Sequence, residues 1–229
     1  PINDYLAVLK REIELVMDRV SGPLAVSHLH FGGGTPTIVA PGAIADLIRR
    51  VTAKAPFSAD AEIAIEIDPR TLTPAMAAAL GDIGFNRASL GVQSFDPAVQ
   101  AAINRRQSFE ETAEATERLR AAGVERINFD LIYGLPHQTI DSCIDSVRRS
   151  LELRPDRFAV FGYAHVPSFK SHQRMIDAAT LPDGASRNAQ AQAIAETLQE
   201  AGYRQIGLDH YALPDDPIVK AQAEGTLRR

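Results

Sequence analysis

The segment LAVSHLHFGGGTPT, residues 24–37, decides the fold class. Its apolar and β-branched residues predict a strand that ends in three adjacent glycines, Gly32, Gly33 and Gly34. Residues without side chains allow the main chain to approach a ligand closely at a strand end. The segment lacks the Gly-Lys-Ser/Thr finish of a phosphate loop and the spaced glycines of a dinucleotide-binding turn. The glycines therefore indicate either a ligand-contacting strand end or a tight turn.

Helical patterns alternate with strand-like segments along the rest of the chain. The predicted strands are residues 24–31, 62–69, 87–94, 126–136, 157–165 and 203–212. Strands joined through helices pair in parallel, because a βαβ crossover returns the chain to the same edge. The pattern predicts an α/β fold, either an open doubly wound sheet or a barrel, in one domain over residues 1–229. Polar residues at all six strand ends favour the barrel.

Capping signals predict where several helices begin. Asn3 is the expected N-cap of the first helix. Ser108, with Glu111 three residues later, predicts a capping box. A later helix is expected to begin at Thr139 or Asp141.

Composition limits the possible partners and compartments. The 229 residues carry a net charge of −5 and one cysteine, Cys143, so the chain forms no internal disulfide. An acidic chain does not favour nucleic acid or an anionic membrane, and no apolar run reaches the roughly 20 residues that span a bilayer. The N-terminal residues 1–16 lack the basic segment followed by an apolar segment that is typical of a signal peptide. We expect a cytoplasmic protein, of which this chain is a fragment.

Several carboxylates and one arginine are candidate site residues. Glu66 and Asp68 are two apart on one predicted strand, and Asp130 lies near the end of a later one. Carboxylates at a barrel mouth are costly unless paired or ligated. Asp68 precedes Pro69, which favours a turn. Glu66 is expected to lie deeper, between two flanking isoleucines, and to contact a ligand. Arg105 is either a bidentate carboxylate ligand or a surface salt-bridge residue.

Two histidines support a different interpretation. His28 and His30 form an H-x-H pattern that, with His165, Asp209 or His210, would suit a metal-dependent barrel hydrolase. Histidines on one strand face are more often satisfied core residues, so we expect no metal site. Cys143 lies within a helical pattern and is expected to be a small buried side chain instead of a nucleophile.

Six ordered motifs together resemble one family over essentially the whole chain. They are HLHFGGGTPT, EIAIEIDPR, RASLGVQSFDPAVQAAINRRQ, NFDLIYGLPHQT, FGYAHVP and GLDHYALPDD. The sequence is similar to oxygen-independent coproporphyrinogen III oxidases of the radical S-adenosylmethionine (SAM) superfamily. The resemblance implies a partial (β/α)₆ barrel of parallel strands that binds SAM and a [4Fe–4S] cluster. It implies SAM contacts at Gly33, Gly34, Thr35, Glu66, Gln93, Arg105, Asp130 and Ala164, and no catalytic acid, base or nucleophile.

The same resemblance implies an activity. The family decarboxylates coproporphyrinogen III to protoporphyrinogen IX by means of a SAM-derived 5′-deoxyadenosyl radical. The implied partners are this substrate and an electron donor, and we expect a monomer. The family's C-x₃-C-x₂-C cluster loop is absent from this sequence, which has one cysteine. We therefore expect the loop upstream of residue 1, a further C-terminal part beyond residue 229, and no activity from this chain alone.

Three alternatives remain open at this point. A heme chaperone of the same superfamily shares the GGGTP, GVQSF and YGLP motifs, but FGYAHVPSFKSHQRMI and GLDHYALPDD resemble the oxidase versions. The metal-dependent hydrolase is more distant. A non-catalytic barrel with a vestigial pocket is the third.

Overall fold

A computed structural model describes residues 2–227 of the chain. Its helices are α1 (Ile2–Met17), α2 (Pro41–Thr52), α3 (Pro74–Ile83), α4 (Pro97–Ala102), α5 (Phe109–Ala121), α6 (Ile140–Glu152), α7 (Gly184–Glu200) and α8 (Pro217–Ala223). Its strands are β1 (Val26–Phe31), β2 (Phe57–Ile67), β3 (Arg87–Gln93), β4 (Arg126–Tyr133), β5 (Arg157–Gly162), β6 (Arg204–Ile206) and β7 (His210–Ala212). The sheet order is β1-β2-β3-β4-β5-β7-β6. Among the described residues, no helix is both long and apolar enough to cross a membrane.

The first compact unit comprises residues 1–89 with 117–125. Strand β1 pairs in parallel with β2, and Phe31 lies opposite Ile65. Phe31 also packs edge-on against Phe85 at 5.5 Å between ring centroids. Ile65 and Leu80 are completely buried, so the apolar faces of β2 and α3 build the core of this unit.

The second unit comprises residues 90–116 with 126–229. Strand β4 pairs in parallel with β5, and Phe129 lies opposite Phe158. Phe158 contacts Phe129 and Tyr203 in edge-to-face arrangements at 6.2 and 5.1 Å. Buried aromatic pairs of this kind contribute roughly 0.5–1.5 kcal/mol beyond the area that they bury.

Two of the three predicted helix starts are confirmed. The Ser108 hydroxyl accepts from Glu111 N–H at 3.0 Å, and the Glu111 carboxylate accepts from Ser108 N–H at 2.7 Å. Thr139 is the N-cap of α6 and accepts from Ser142 N–H. The prediction for Asn3 is wrong, because α1 already includes Ile2 and Asn3 lies within it.

The C-terminal part of the sheet differs from the sequence prediction. Residues 203–212 were expected to form one parallel strand, but they form two short strands, β6 and β7, that pair antiparallel to each other. Gly207, at φ 62°, lies in the turn between them. Strand β7 also pairs antiparallel to β5. The prediction of one domain over residues 1–229 stays a prediction.

Candidate cofactor-binding site

The glycine segment after β1 meets a carboxylate from β2. The N–H of Gly33 donates to Glu66 Oε2 at 3.0 Å. Gly33 and Gly34 have φ values of +77° and +66°, which side chains disfavour. A Cβ at Gly32 would lie 2.8 Å from both Glu66 Oε1 and His30 Nε2. A side chain at Gly32 would therefore displace the Glu66 carboxylate and the His30 ring, and the backbone conformation favours glycine at the next two positions.

The Glu66 side chain is more exposed to solvent than its position between two isoleucines predicted. Its side chain is 41% exposed, and Oε1 lies 3.3 Å from His30 Nε2. A carboxylate oxygen accepts several hydrogen bonds, so Glu66 retains capacity for a ligand cation beyond its contact with Gly33. The Glu66 carboxylate and the main chain of the glycine segment therefore suit the ammonium group of an amino-acid ligand.

Two threonines follow the glycines. Thr35 is the N-cap residue of a short 3₁₀ turn over Pro36–Ile38, and its side chain makes no capping bond. The Thr37 hydroxyl is buried, and among residues 2–227 it has no hydrogen-bond partner. Sequence reasoning did not select Thr37, because a single threonine after a strand carries no signal by itself.

Asp68 has a structural role, as its position before proline predicted. Its carboxylate accepts from Arg70 N–H at 3.1 Å and caps the 3₁₀ turn Pro69–Thr71. The Arg70 guanidinium binds the same carboxylate through two contacts, at 2.9 and 2.6 Å. The turn interpretation of Asp68 is therefore confirmed.

Gln93 and Arg105 meet over a glycine of β3. A Cβ at Gly91 would lie 2.8 Å from Gln93 Nε2 and 3.3 Å from Arg105 Nη2. Arg105 Nη2 donates to the Gly91 carbonyl at 2.8 Å and to Gln107 Oε1 at 3.3 Å. Gln93 has a φ of 67°, which is strained for a residue with a side chain. The second unit thus holds two predicted contact residues side by side, with the guanidinium fixed by main chain.

Asp130 lies on β4, opposite Ala159 of β5. Its Oδ1 accepts from Asn128 Nδ2 at 2.8 Å, so a neighbour on the same face of the strand orients the carboxylate. An oriented carboxylate is a suitable acceptor for a ligand hydroxyl group.

Ala164 follows β5 in a segment that side chains hold in place. Gln173 is buried, and its Nε2 donates to the Ala164 carbonyl at 3.0 Å. Gln173 Oε1 accepts from Val166 N–H at 2.6 Å. In the described part of the chain, the N–H of Ala164 has no partner. Ala164 therefore offers a ligand this N–H as a donor.

The histidine pair does not form the core contacts expected of it. His28 is exposed, and the His30 side chain is 54% exposed. Within residues 2–227, no group of three or more His, Cys, Asp or Glu side chains is arranged to hold a metal ion. The structure thus gives no support to the hydrolase site.

The single thiol does not fit an iron–sulfur cluster. Cys143 is 2% exposed on α6, and burial raises its pKa to about 12. Cluster iron is bound by several thiolates, whereas this chain offers one thiol that stays protonated. The residues present therefore fit SAM at the glycine segment but do not fit a [4Fe–4S] cluster.

Residues 2–149 match the Radical SAM superfamily, so the chain belongs to this superfamily. It is 61% identical over 225 residues to the oxygen-independent coproporphyrinogen III oxidase of Bradyrhizobium diazoefficiens, covering 98% of this chain and 50% of that protein. It is 43% identical over 229 residues to the anaerobic coproporphyrinogen III oxidase 1 of Cereibacter sphaeroides, covering 100% of this chain and 51% of that protein. The chain spans about half the length of the curated relatives that it matches first.

A solved structure matches the same fold. Coproporphyrinogen III oxidase from Escherichia coli, a radical SAM enzyme, superposes with a TM-score of 0.93 at 41% identity, covering 99% of this chain and 52% of that one. The predicted family resemblance and the partial-barrel α/β fold class are confirmed. The SAM contacts assigned to individual residues stay predictions.

Proposed function

We propose that the protein containing this chain carries out the oxygen-independent oxidative decarboxylation of coproporphyrinogen III to protoporphyrinogen IX. The observation that carries the proposal is the glycine strand end, where Gly33 N–H and the half-exposed Glu66 carboxylate meet at 3.0 Å. Similarity to the two named oxidases over nearly the whole chain supports the substrate. We expect the protein to be cytoplasmic and monomeric and to receive electrons from a separate donor.

The residues of this chain would bind and orient the cofactor. Glu66 and the glycine main chain would hold the SAM ammonium group, and Arg105 would hold its carboxylate. Gln93 and Asp130 offer acceptors for ribose hydroxyls, and the Ala164 N–H offers a donor. When bound, SAM supplies the one-electron chemistry that removes a hydrogen atom from the substrate.

The overall change at each of the two reacting propionates is balanced. The side chain loses CO₂, one hydrogen atom from the carbon β to the carboxylate and one electron, which leaves a vinyl group. The hydrogen atom would leave with the bound cofactor, and an electron acceptor would take the electron. Because this chain has one cysteine, cluster ligands would have to come from elsewhere, and we expect no turnover by this chain alone.

Glu66→Gln tests the proposal, because it preserves shape and removes the charge. A hydrogen bond to a charged group contributes roughly 1.5–3 kcal/mol, so we expect the Kd for SAM to rise about 10- to 150-fold. Glu125→Gln is the matched control, because Glu125 is exposed outside the glycine segment. Calorimetric titration of the full-length, anaerobically purified protein with SAM measures both.

A second assay distinguishes the oxidase from the heme chaperone. The full-length protein, reconstituted with its cluster, receives coproporphyrinogen III, SAM and a reductant without oxygen. The oxidase forms protoporphyrinogen IX and releases CO₂. Stoichiometric heme binding without this product would refute the proposal in favour of the chaperone.

A further inference from the structure

Arg187 reaches from the first turn of α7 to the end of β5. Its Nη2 donates to the Tyr163 carbonyl at 2.7 Å. The Tyr163 N–H in turn donates to the Tyr133 carbonyl at 2.8 Å. The half-buried guanidinium therefore lies where β4 and β5 both end.

Two glycines leave the space that the Arg187 guanidinium occupies. A Cβ at Gly134 would lie 2.9 Å from Arg187 Nε, and a Cβ at Gly162 would lie 3.3 Å from Arg187 Nη2. Atoms this close would push the guanidinium away. Gly162 thus leaves room for this cation, and Gly134 does so at a position whose φ of +80° also favours glycine.

The Tyr133 hydroxyl lies beside the same glycine. It would be 2.9 Å from a Cβ at Gly162, so the hydroxyl and Arg187 Nη2 both lie within 3.3 Å of one point. In the described part of the chain, this hydroxyl has no hydrogen-bond partner. A phenol donor and a guanidinium therefore face one small recess.

Arg187 forms no ion pair with any carboxylate of residues 2–227. Asp183, four residues earlier, caps α7 and accepts from Ser186 N–H at 2.8 Å. A guanidinium has five N–H donors, and the described residues use one of those on Arg187. A half-buried cation without a counter-ion is stabilised by an anionic ligand, and a carboxylate matches the planar guanidinium.

We propose that Arg187 and Tyr133 form a carboxylate-binding site at the ends of β4 and β5. The site rests on the proposed function for its ligand, which is a propionate of the tetrapyrrole. The amino-acid carboxylate of SAM has the same chemistry and is the other source to test. Arg105 already provides a guanidinium for SAM under the proposed function, which favours the propionate.

The test uses the full-length protein with two probes, coproporphyrin III by fluorescence titration and SAM by calorimetry. Tyr133→Phe removes a hydroxyl that has no partner within residues 2–227, so a purely structural role predicts no change. We expect this variant to raise the Kd for coproporphyrin III about 3- to 10-fold, as for one lost hydrogen bond. Arg187→Met should raise it about 10- to 100-fold, and Arg187→Lys should recover part of the loss.

Arg204→Met is the matched control, because Arg204 is exposed on β6. Melting temperatures of all variants separate lost binding from lost folding, and Tyr133→Phe covers the case in which Arg187→Met does not fold. A higher Kd for SAM with an unchanged Kd for coproporphyrin III would support the site and assign it to the cofactor. Unchanged affinity for both probes in Tyr133→Phe and Arg187→Lys would overturn it.

Turnover of the wild-type protein distinguishes the two proposals. If the wild type does not convert coproporphyrinogen III but Tyr133→Phe still weakens binding of coproporphyrin III, the proposed function fails and the carboxylate site stands. If the wild type turns over and neither variant changes either Kd, the site fails and the proposed function stands.

Discussion

A buried ion pair fixes the start of α8 against β5. The Nε and Nη2 of Arg157 donate to the two carboxylate oxygens of Asp216 at 2.9 and 2.6 Å. The side chains are 14% and 3% exposed. Asp216 also caps α8 by accepting from Ile218 N–H at 2.9 Å. One carboxylate therefore neutralises a buried cation and satisfies a helix N-terminus.

Replacing Asp216 by asparagine removes the charge and keeps a good capping side chain. Arg157 would then keep a nearly buried charge without the carboxylate charge of Asp216, and breaking a buried ion pair by removing one partner typically costs about 3–5 kcal/mol. For a chain of this size, about 1 kcal/mol corresponds to a shift of roughly 2–4 °C in Tm. We therefore expect Asp216→Asn to lower the Tm by about 6–20 °C.

Thermal melts followed by circular dichroism measure the Tm, and urea denaturation measures the loss in free energy of unfolding. Asp216→Ala should lower the free energy of unfolding by about 1 kcal/mol more than Asp216→Asn, because it also removes the helix cap. Asp215→Asn is the matched control at an exposed neighbour. Substitutions at exposed positions usually change the free energy of unfolding by less than about 0.5 kcal/mol. If Asp216→Asn also stays within this range of the wild type, the ion pair contributes nothing and the reasoning is refuted.

Two further outcomes follow from single positions. Burial raises the pKa of the Cys143 thiol from its ordinary 9.0 to about 12, so the folded state disfavours the thiolate. Stability should be lost as pH rises from 9 towards 12, and Cys143→Ala should reduce this loss in alkaline unfolding curves. Gly81→Ala should lower the free energy of unfolding by roughly 1–3 kcal/mol, because its Cβ would collide with the main-chain carbonyl of Ala122. Gly42→Ala, in a helix with open space, should not destabilise; equal effects in thermal melts would contradict the packing argument.

Local signals account for the parts of the fold that the sequence predicts well. The capping box of Ser108 and Glu111 joins residues three apart, so it depends only on the local sequence at the start of the helix. The alternation of helices and strands follows from periodicity in the same way. The short strands β6 and β7 lack such a signal, since three residues each give no measurable period.

The site was predicted less completely, for two physical reasons. Glu66 was expected to be deep because Ile65 and Ile67 flank it, but successive side chains of a strand point to opposite faces. Burial of the two isoleucines therefore says nothing about the acid between them. Tyr133 and Arg187 lie far apart in sequence, and only the packing of α7 against the strand ends brings them to one glycine.

Glycines just after β1 and on β3 and β5 share a role that sequence alone does not reveal. None of Gly32, Gly91 and Gly162 has a positive φ, so backbone conformation does not require glycine there. Instead, the missing Cβ leaves room for polar side-chain ends, namely Glu66 with His30, Gln93 with Arg105, and Tyr133 with Arg187. An alanine could adopt the same backbone, but it would displace these groups. The glycines therefore keep charged and amide groups close to the main chain at or near the strand ends, which is where parallel α/β folds bind ligands.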